Sequence, residues 1–221
     1  MAIADYLRKL VELKNQLVAN LKNMGVAADE SEKLNTLVPK VLECKAEQNV
    51  EFVEGTNFDS LKANVKKVAI PAGVTSIGSR AFEGCSSLAS ITIPNSVTTI
   101  GDHAFEYCAS LANINIPAGV TSIGSYTFHS CESLASITIG NSVTSIRGYA
   151  FSYCPSLKSI IIPDSVTSIG AGAFEKCRYV SDIYYTGTQE QWNAIAKATD
   201  WNTNMGSNVS GGTVIHYNYI P

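Results

Sequence analysis

The sequence has few charged residues. They make up 16% of its 221 residues, against about a quarter in a typical soluble domain. The formal net charge is −3, and no long run of like charges occurs. Proteins that bind nucleic acid carry a basic stripe or patch, and positive charge also draws proteins to anionic membranes. The composition therefore argues against a nucleic-acid partner and against an anionic membrane surface.

Long apolar runs are missing too. No stretch approaches the roughly 18–20 apolar residues that span a bilayer. The first residues, with Asp5, Arg8 and Lys9 among them, lack the hydrophobic core and cleavage site of a secretory signal. We therefore expect no membrane insertion. We also expect a chain that stays inside the cell or leaves it by a route that needs no such signal.

Motifs of catalysis and metal binding are scarce. No C-x-x-C and no Cys/His pair with zinc spacing occurs, and the glycines recur singly rather than in a phosphate-binding loop. His129, two residues before Cys131, is the one nearby pairing of a base with a nucleophile, and nothing supplies a third, orienting group. The sequence thus predicts a protein that is not an enzyme and has no cofactor or metal.

What the sequence has in abundance is one repeated unit of 23 residues. The segment from Ile93 to Cys108 returns at Ile116 to Cys131, and residues 65–179 form five near-copies. Such a period is typical of solenoids, because each unit can bury its apolar face only against a neighbour. The pattern L-x-x-I-x-I predicts a short β-strand with one inward face. Proline follows it in four copies and ends the strand, since it lacks the N–H that a continuing ladder needs.

The second half of each unit holds an apolar ledge, a bend and a phenylalanine three residues before a cysteine. We expect the glycines at the bend to permit it by adopting unusual φ angles, with Arg147 in the exceptional fourth copy. Because stacked coils would place one thiol per coil in a row, we predict a reduced, structural cysteine ladder. Disulfides between neighbouring coils are the alternative. The columns are Gly78, Gly101, Gly124 and Gly170; Phe82, Phe105, Phe128, Phe151 and Phe174; and Cys85, Cys108, Cys131, Cys154 and Cys177.

The full pattern L-x-x-I-x-I-P-x-x-V-T-x-I-G-x-x-A-F-x-x-C-x-S resembles the BspA-like leucine-rich repeats of bacterial surface and secreted proteins. The resemblance covers residues 65–179 and extends into the C-terminal segment, where Y-Y-T-G-x-x-x-Q-W, from Tyr184 to Trp192, is similar to the terminal cap of that family. It implies an α/β solenoid, a right-handed leucine-rich-repeat coil with short parallel strands. It also implies binding to proteins or cell-surface components without catalysis.

The C-terminal segment is interpreted as a cap. We place the solenoid at residues 65–183 and the cap at residues 184–221. Thr188 and Gln191 have the spacing of a capping box for a helix over residues 189–198. Residues 213–217 have the β-branched and aromatic content of a final strand.

The N-terminal segment is different in character. Apolar residues seven apart over residues 2–24 predict an amphipathic helix, and a shorter second helix completes a helical hairpin over residues 1–46. Residues 47–64 are interpreted as an N-terminal cap or linker. Two interpretations of the hairpin stay open. Either it packs on its own chain, or residues 1–24 form a coiled coil that makes a homo-oligomer.

The hairpin has a resemblance of its own. Residues 13–17, 25–27 and 36–40 (LKNQL, GVA and TLVPK) resemble the start of tail-associated proteins from phages and prophages of Gram-positive bacteria. That resemblance implies a virion protein, whereas the repeats imply a cell-surface or extracellular one.

Columns that vary between copies are the candidates for recognition, because they are not fixed by the core. Tyrosine and arginine, which are enriched at binding surfaces, are frequent in two of these columns. The candidate ligand-binding residues are Arg80, His103, Tyr107, Tyr126, Tyr149 and Tyr153. The alternative is that the tyrosines merely cover the turn. A column of glutamates, Glu83, Glu106 and Glu175, is expected to face solvent for solubility.

The outward residues of the strands are small and polar, as in Ser90, Thr92, Asn113 and Asn115, and suit contact with a glycan or a protein. The leading hypothesis is a recognition or adhesion module for a protein or a cell-surface glycan. The alternative is a structural or host-recognition protein of a phage or prophage tail.

Overall fold

The computed structural model describes residues 65–70 and 72–221, which lie within one compact unit, residues 51–221. The predictions for residues 1–64 fall outside the described residues: the helical hairpin, the cap or linker, the oligomer contact and the resemblance to phage-tail proteins. In chain order the elements are β1 (Lys67–Ala69), β2 (Ser76–Ile77), β3 (Ser90–Thr92), β4 (Thr99–Ile100), β5 (Asn113–Asn115), β6 (Ser122–Ile123), β7 (Ser136–Thr138), β8 (Ser145–Ile146), β9 (Ser159–Ile162), β10 (Ser168–Ile169), β11 (Asp182–Tyr185), α1 (Gln189–Ala194), β12 (Ala196–Lys197) and β13 (Val214–His216).

Each coil contributes one strand of three or four residues to a first side of the solenoid. These strands run parallel in the orders β1-β3-β5-β7 and β9-β11-β13. They pair at the period of the repeat, with Val68 opposite Ile91 and Ile114 opposite Ile137. In β3, β5 and β7 the middle residue is buried and both neighbours are exposed. The predicted solenoid of short parallel strands, each with one inward face, is confirmed.

A second side is formed by strands of only two residues. They pair parallel in the orders β2-β4 and β6-β8-β10-β12 and grow out of the predicted apolar ledge. Their buried residues are Ile77, Ile100, Ile123, Ile146 and Ile169. The sequence predicts the ledge but not these strands, because two residues are too few for an alternating pattern to show.

The third side, from the bend to the cysteine, is hydrogen-bonded from coil to coil without forming strands. Three backbone amides of one coil, those of His103, Phe105 and Tyr107, donate to the carbonyls of Ser125, Thr127 and His129, each at 2.9 Å. The same three-amide pattern recurs in the coils that begin at Arg80, Tyr126, Tyr149 and Gly172. Buried backbone groups need such partners, and on this side the neighbouring coils supply them.

The core is a ladder of phenylalanines backed by thiols. Rings of adjacent coils stack with centroids 5.2–5.5 Å apart, and Trp201 closes the ladder edge-on against Phe174. All five array cysteines are buried thiols. The Sγ of Cys108, Cys131, Cys154 and Cys177 donates to the carbonyl of the phenylalanine 26 residues earlier, at 2.9–3.2 Å. The predicted reduced, structural ladder is confirmed, and its thiols also bridge neighbouring coils.

Glycine occupies the bend for a different reason from the one predicted. None of Gly78, Gly101, Gly124 and Gly170 has a left-handed φ, so the expectation of unusual φ angles is wrong. At Gly101 an added Cβ would lie 2.4 Å from the backbone nitrogen of Ser79 on the preceding coil. At Gly101, and at Gly170, where an added Cβ would lie 2.6 Å from the backbone nitrogen of Gly148, consecutive coils approach too closely for a side chain. The fourth coil accepts Arg147 in the same column.

The cap extends both sheets. Thr188 and Gln191 form the predicted capping box of α1, but the helix ends at Ala194 rather than at residue 198. It ends early because the residues that follow, Ala196–Lys197, form β12 and pair with β10. The final strand, β13, pairs with β11, close to where it was predicted. No helix in the described part of the chain has the length and apolar character to cross a bilayer.

Candidate functional site

The two variable columns of the sequence share an unusual backbone conformation. Every residue in them has a φ between 56° and 73°, in the left-handed region. That region favours glycine, because a Cβ crowds the backbone there. We call these positions the left-handed columns. The first holds Arg80, His103, Tyr126, Tyr149 and Gly172, and the second holds Gly84, Tyr107, Ser130, Tyr153 and Lys176.

The first left-handed column is a stack of rings. His103 lies parallel to Tyr126 with centroids 5.0 Å apart, and Tyr126 lies on Tyr149 at 4.8 Å. The stack covers the ring faces and leaves edges and hydroxyl groups for contact. Burial raises the pKa of the Tyr126 hydroxyl, so that group remains a hydrogen-bond donor. Arg80 is not part of the stack, because it pairs with Glu83 of its own coil at 3.3 Å.

The second left-handed column places two tyrosines at the surface. Tyr107 is 50% exposed and Tyr153 is 40% exposed, with Ser130 on the coil between them. Adjacent parallel chains lie about 4.8 Å apart, so the two tyrosines stand about 10 Å apart along the solenoid. The structure brings five of the six candidate residues together on one face and leaves Arg80 at its margin.

His129 links the two columns, and sequence reasoning missed that role. Its ring makes edge contacts with Tyr107, Tyr126 and Tyr153, with centroids 5.4–5.5 Å apart. Its Nδ1 is hydrogen-bonded to the hydroxyl of Ser152. Burial lowers the pKa of His129, and the carboxylates of Glu106 and Glu175 oppose the shift. The signal that could have found it is its spacing, three residues after one column and one before the other.

The predicted solvent-facing column of glutamates is wrong for Glu106. Its side chain is buried, and Oε2 lies 2.6 Å from Nδ1 of His103. A buried carboxylate needs a partner, and this one is hydrogen-bonded to the first ring of the stack. Glu83 and Glu175 are half-buried.

A groove lies beside the second column, on the side of the cap. It has a volume of about 360 Å³. Lys176 donates to the hydroxyl of Tyr153 and lies 3.6 Å from Glu175. The groove is lined by Ser130, Glu132, Tyr153, Pro155, Lys176, Arg178, Tyr179 and Asn208. Sequence reasoning missed this groove, because Asn208 comes from the cap, where the repeat has ended.

The outward face of the first sheet is a separate surface. Its strand residues are small and polar from β3 to β7 and exposed, as predicted. At the cap the face becomes aromatic, where Tyr184 stacks on His216 at 4.7 Å and His216 pairs with Asp182 at 2.7 Å.

The pairing of a base with a nucleophile does not form. His129 bonds to Ser152, whereas Cys131 donates to the carbonyl of Phe105. Burial raises the pKa of Cys131 to about 12, and a thiol that stays protonated is a poor nucleophile. Over the residues that the structure describes, no group of three His, Cys, Asp or Glu side chains is placed to hold a metal ion.

Comparison with known proteins identifies the repeat. The family model for BspA type leucine rich repeat regions matches residues 52–181 in six copies, a match that begins inside the segment read from the sequence as a cap or linker. The leucine-rich-repeat protein TpLRR of T. pallidum is 39% identical, with a TM-score of 0.52, over 53% of this chain and 57% of that one. A leucine-rich-repeat protein from Bacteroides ovatus ATCC 8483 is 40% identical, with a TM-score of 0.52, over 54% of this chain and 33% of that one.

These alignments are partial. The chain spans little more than half the length of the first of these proteins and a third of the second. No curated protein matches the chain. The resemblance drawn from the repeat pattern is confirmed by the family match and by both structures.

Proposed function

The chain belongs to the BspA-type leucine-rich-repeat family, and from that premise we propose that it is a non-enzymatic recognition or adhesion module. Its binding surface is the aromatic face, which we define as His103, Tyr107, Tyr126, His129, Tyr149 and Tyr153. The ligand is a protein or a cell-surface glycan, met outside the cell that makes the protein.

The observation that carries this proposal is the conformation of the left-handed columns. A residue other than glycine costs about 1–3 kcal/mol there, and such residues concentrate where function demands them. Glycine does occupy the columns at Gly84 and Gly172, so the fold accepts it. Of the other eight positions, Ser130 is small and seven keep large side chains in a strained backbone, five of which are aromatic.

Exposure argues against the alternative that these rings merely cover the turn. A covering side chain removes apolar surface from water, but half of Tyr107 remains accessible. The stacked rings of the first column do cover backbone, and they also hold the second column in place through His129. Tyrosine offers a large contact area with a polar tip at a low entropy cost, which is why binding surfaces use it.

The hypothesis of a phage-tail protein stays a prediction. It depends on residues 1–46, where the family match does not reach, and no observation on the described residues favours it over a cell-surface module.

A binding screen tests the proposal. The intact chain, fluorescently labelled, would be applied to a glycan array and to immobilised extracellular-matrix proteins, and each hit repeated with the double variant Tyr107→Ala/Tyr153→Ala. We expect binding to fall at least tenfold. The matched control is Thr92→Ala/Thr138→Ala on the outward face of the first sheet, which should bind like the wild type.

Two results would reject the proposal. One is undiminished binding by the tyrosine variant while it stays folded by circular dichroism. The other is an equal loss in the threonine variant, which would move the binding surface to the sheet.

A further inference from the structure

We propose that the groove beside the second left-handed column binds a sugar acid, a saccharide ring that carries one carboxylate, at the end of a glycan. This inference rests on the proposed function and names the ligand class of the same face. Besides Lys176 of the second left-handed column, it draws on three residues that the repeat pattern does not single out: Arg178, Tyr179 and Asn208.

The size of the groove fits a small group. Its volume of about 360 Å³ lies near the lower end of the roughly 300–1,000 Å³ of ligand pockets. A terminal saccharide is of the right scale.

The charge of the groove selects an anion. Arg178 is exposed, and no carboxylate in the described part of the chain lies within ion-pair distance of it. A guanidinium matches a carboxylate with two parallel hydrogen bonds. Lys176, two residues earlier, is already engaged by Tyr153 and Glu175. Arg178 is therefore the group available to bind the ligand's carboxylate, and Lys176 adds positive potential beside it.

The remaining lining favours a sugar over an acidic peptide. Glu132 lies on the wall, where it would repel a second carboxylate of a peptide but accept hydrogen bonds from sugar hydroxyls. Ser130 and Asn208 supply further polar contacts. Tyr153 and Tyr179, 40% and 48% exposed, offer ring surface to the apolar face of a saccharide. One anionic site among hydroxyl partners and aromatic rings is the chemistry of a sugar acid.

The walls of the groove belong to one fixed body. The amide of Asn208 donates to the carbonyl of Arg178 at 2.9 Å, and the amide of Lys176 donates to Thr203 at 2.8 Å. The cap is thus bonded to the last coil along the groove, so the backbone segments that carry Arg178 and Asn208 are held together before a ligand arrives. Such preorganisation lowers the entropy cost of binding.

Titration with simple probes tests the inference. The full chain would be titrated by NMR with glucuronic acid and N-acetylneuraminic acid, with the methyl ester of each, and with a short Asp/Glu-rich peptide. We expect the acids to bind with a dissociation constant of about 1 mM, which is a weak interaction on the affinity scale. The esters and the peptide should bind at least tenfold more weakly. Arg178→Gln should abolish acid binding, while Arg178→Lys retains part of it.

Controls separate this inference from the function on which it rests. Arg147→Gln removes an exposed arginine from another coil and should leave binding of the acids unchanged. Equal binding of acid and ester, no binding of either acid, or full binding by Arg178→Gln would overturn the sugar-acid site. Tighter binding of the acidic peptide would replace it with a protein ligand. Tyr107 lies outside the groove. In those cases the aromatic face is retained as the binding surface if Tyr107→Ala still lowers binding in the screen.

Discussion

The ring of Tyr149 occupies the space where a side chain of residue 172 would stand. A Cβ added to Gly172 would lie 2.4 Å from Cε1 of Tyr149. Gly172 has a φ of 59°, so it ends the first left-handed column by giving its space to the last ring of the stack. The ring stack and the backbone conformation are therefore coupled at this point.

Gly172→Ala should destabilise the protein by about 2–4 kcal/mol, because the ring of Tyr149 must move, at about 1–3 kcal/mol for overpacking, and the left-handed φ adds about 1 kcal/mol. The free energy of unfolding in urea measures it. In the double variant Gly172→Ala/Tyr149→Ala the clash is gone, and only the φ penalty of about 1 kcal/mol should remain from Gly172→Ala. Additive effects of the two substitutions would contradict the coupling.

Gly101→Ala tests the close approach of coils at the bend. Its Cβ would press on the backbone of the preceding coil, which cannot move like a side chain, and we expect a loss of about 1–3 kcal/mol. Gly148→Ala is the matched control, since its Cβ meets only the carbonyl oxygen of Ala171, at 3.2 Å. The control should lose clearly less stability in the same urea titration. Equal effects would mean that the bend glycines are not selected by contact between coils.

Thiol labelling tests the burial of the cysteine ladder. With a pKa of about 12 for Cys131, and that of Cys154 also raised by burial, only about one Cys131 thiol in 10,000 is ionised at pH 8. The array cysteines should resist Ellman's reagent in native protein and react fully in urea. Cys44 lies outside the described residues, so one reactive thiol is compatible with the ladder. Rapid labelling of two or more would contradict it.

His129 should make stability depend on pH. Because its pKa in the folded protein is below the usual 6.5, the unfolded chain takes up a proton at a higher pH than the folded chain does. The stability that neutral His129 contributes is therefore present above pH 6.5 and is lost as the pH falls below it. We expect the difference in unfolding free energy between wild type and His129→Gln to shrink from about pH 7.5 to pH 5. A constant or growing difference would show that burial of this imidazole does not lower its pKa.

The repeat made most of the fold predictable. Columns such as Val68 and Ile91 recur at 23 residues, so the strand, its inward face and its parallel neighbour follow from one pattern. The phenylalanine and cysteine ladders follow in the same way. Columns that vary pointed to the aromatic face, because residues fixed by the core do not vary between copies.

The features that could not be predicted from the sequence depend on backbone conformation or on a single neighbouring residue. The residue type of Tyr107 does not reveal that its φ is left-handed. The one indication in the sequence is that glycine occupies other positions of the same columns, at Gly84 and Gly172. Glu106 is buried because His103 is there to bind it, while Glu83 and Glu175 of the same column stay half-buried. The groove lies between the last coil and the cap, and the cap has no repeat from which its contacts could be predicted.

The substitution Tyr107→Gly, measured for both stability and binding, tests most directly whether the aromatic face is a recognition surface. The left-handed backbone prefers glycine, so the free energy of unfolding should stay within about 1 kcal/mol of wild type. Binding to the hits of the screen should fall at least tenfold. If stability drops by more than about 2 kcal/mol while binding is unchanged, Tyr107 is a structural cover for the turn and the aromatic face is not a recognition surface.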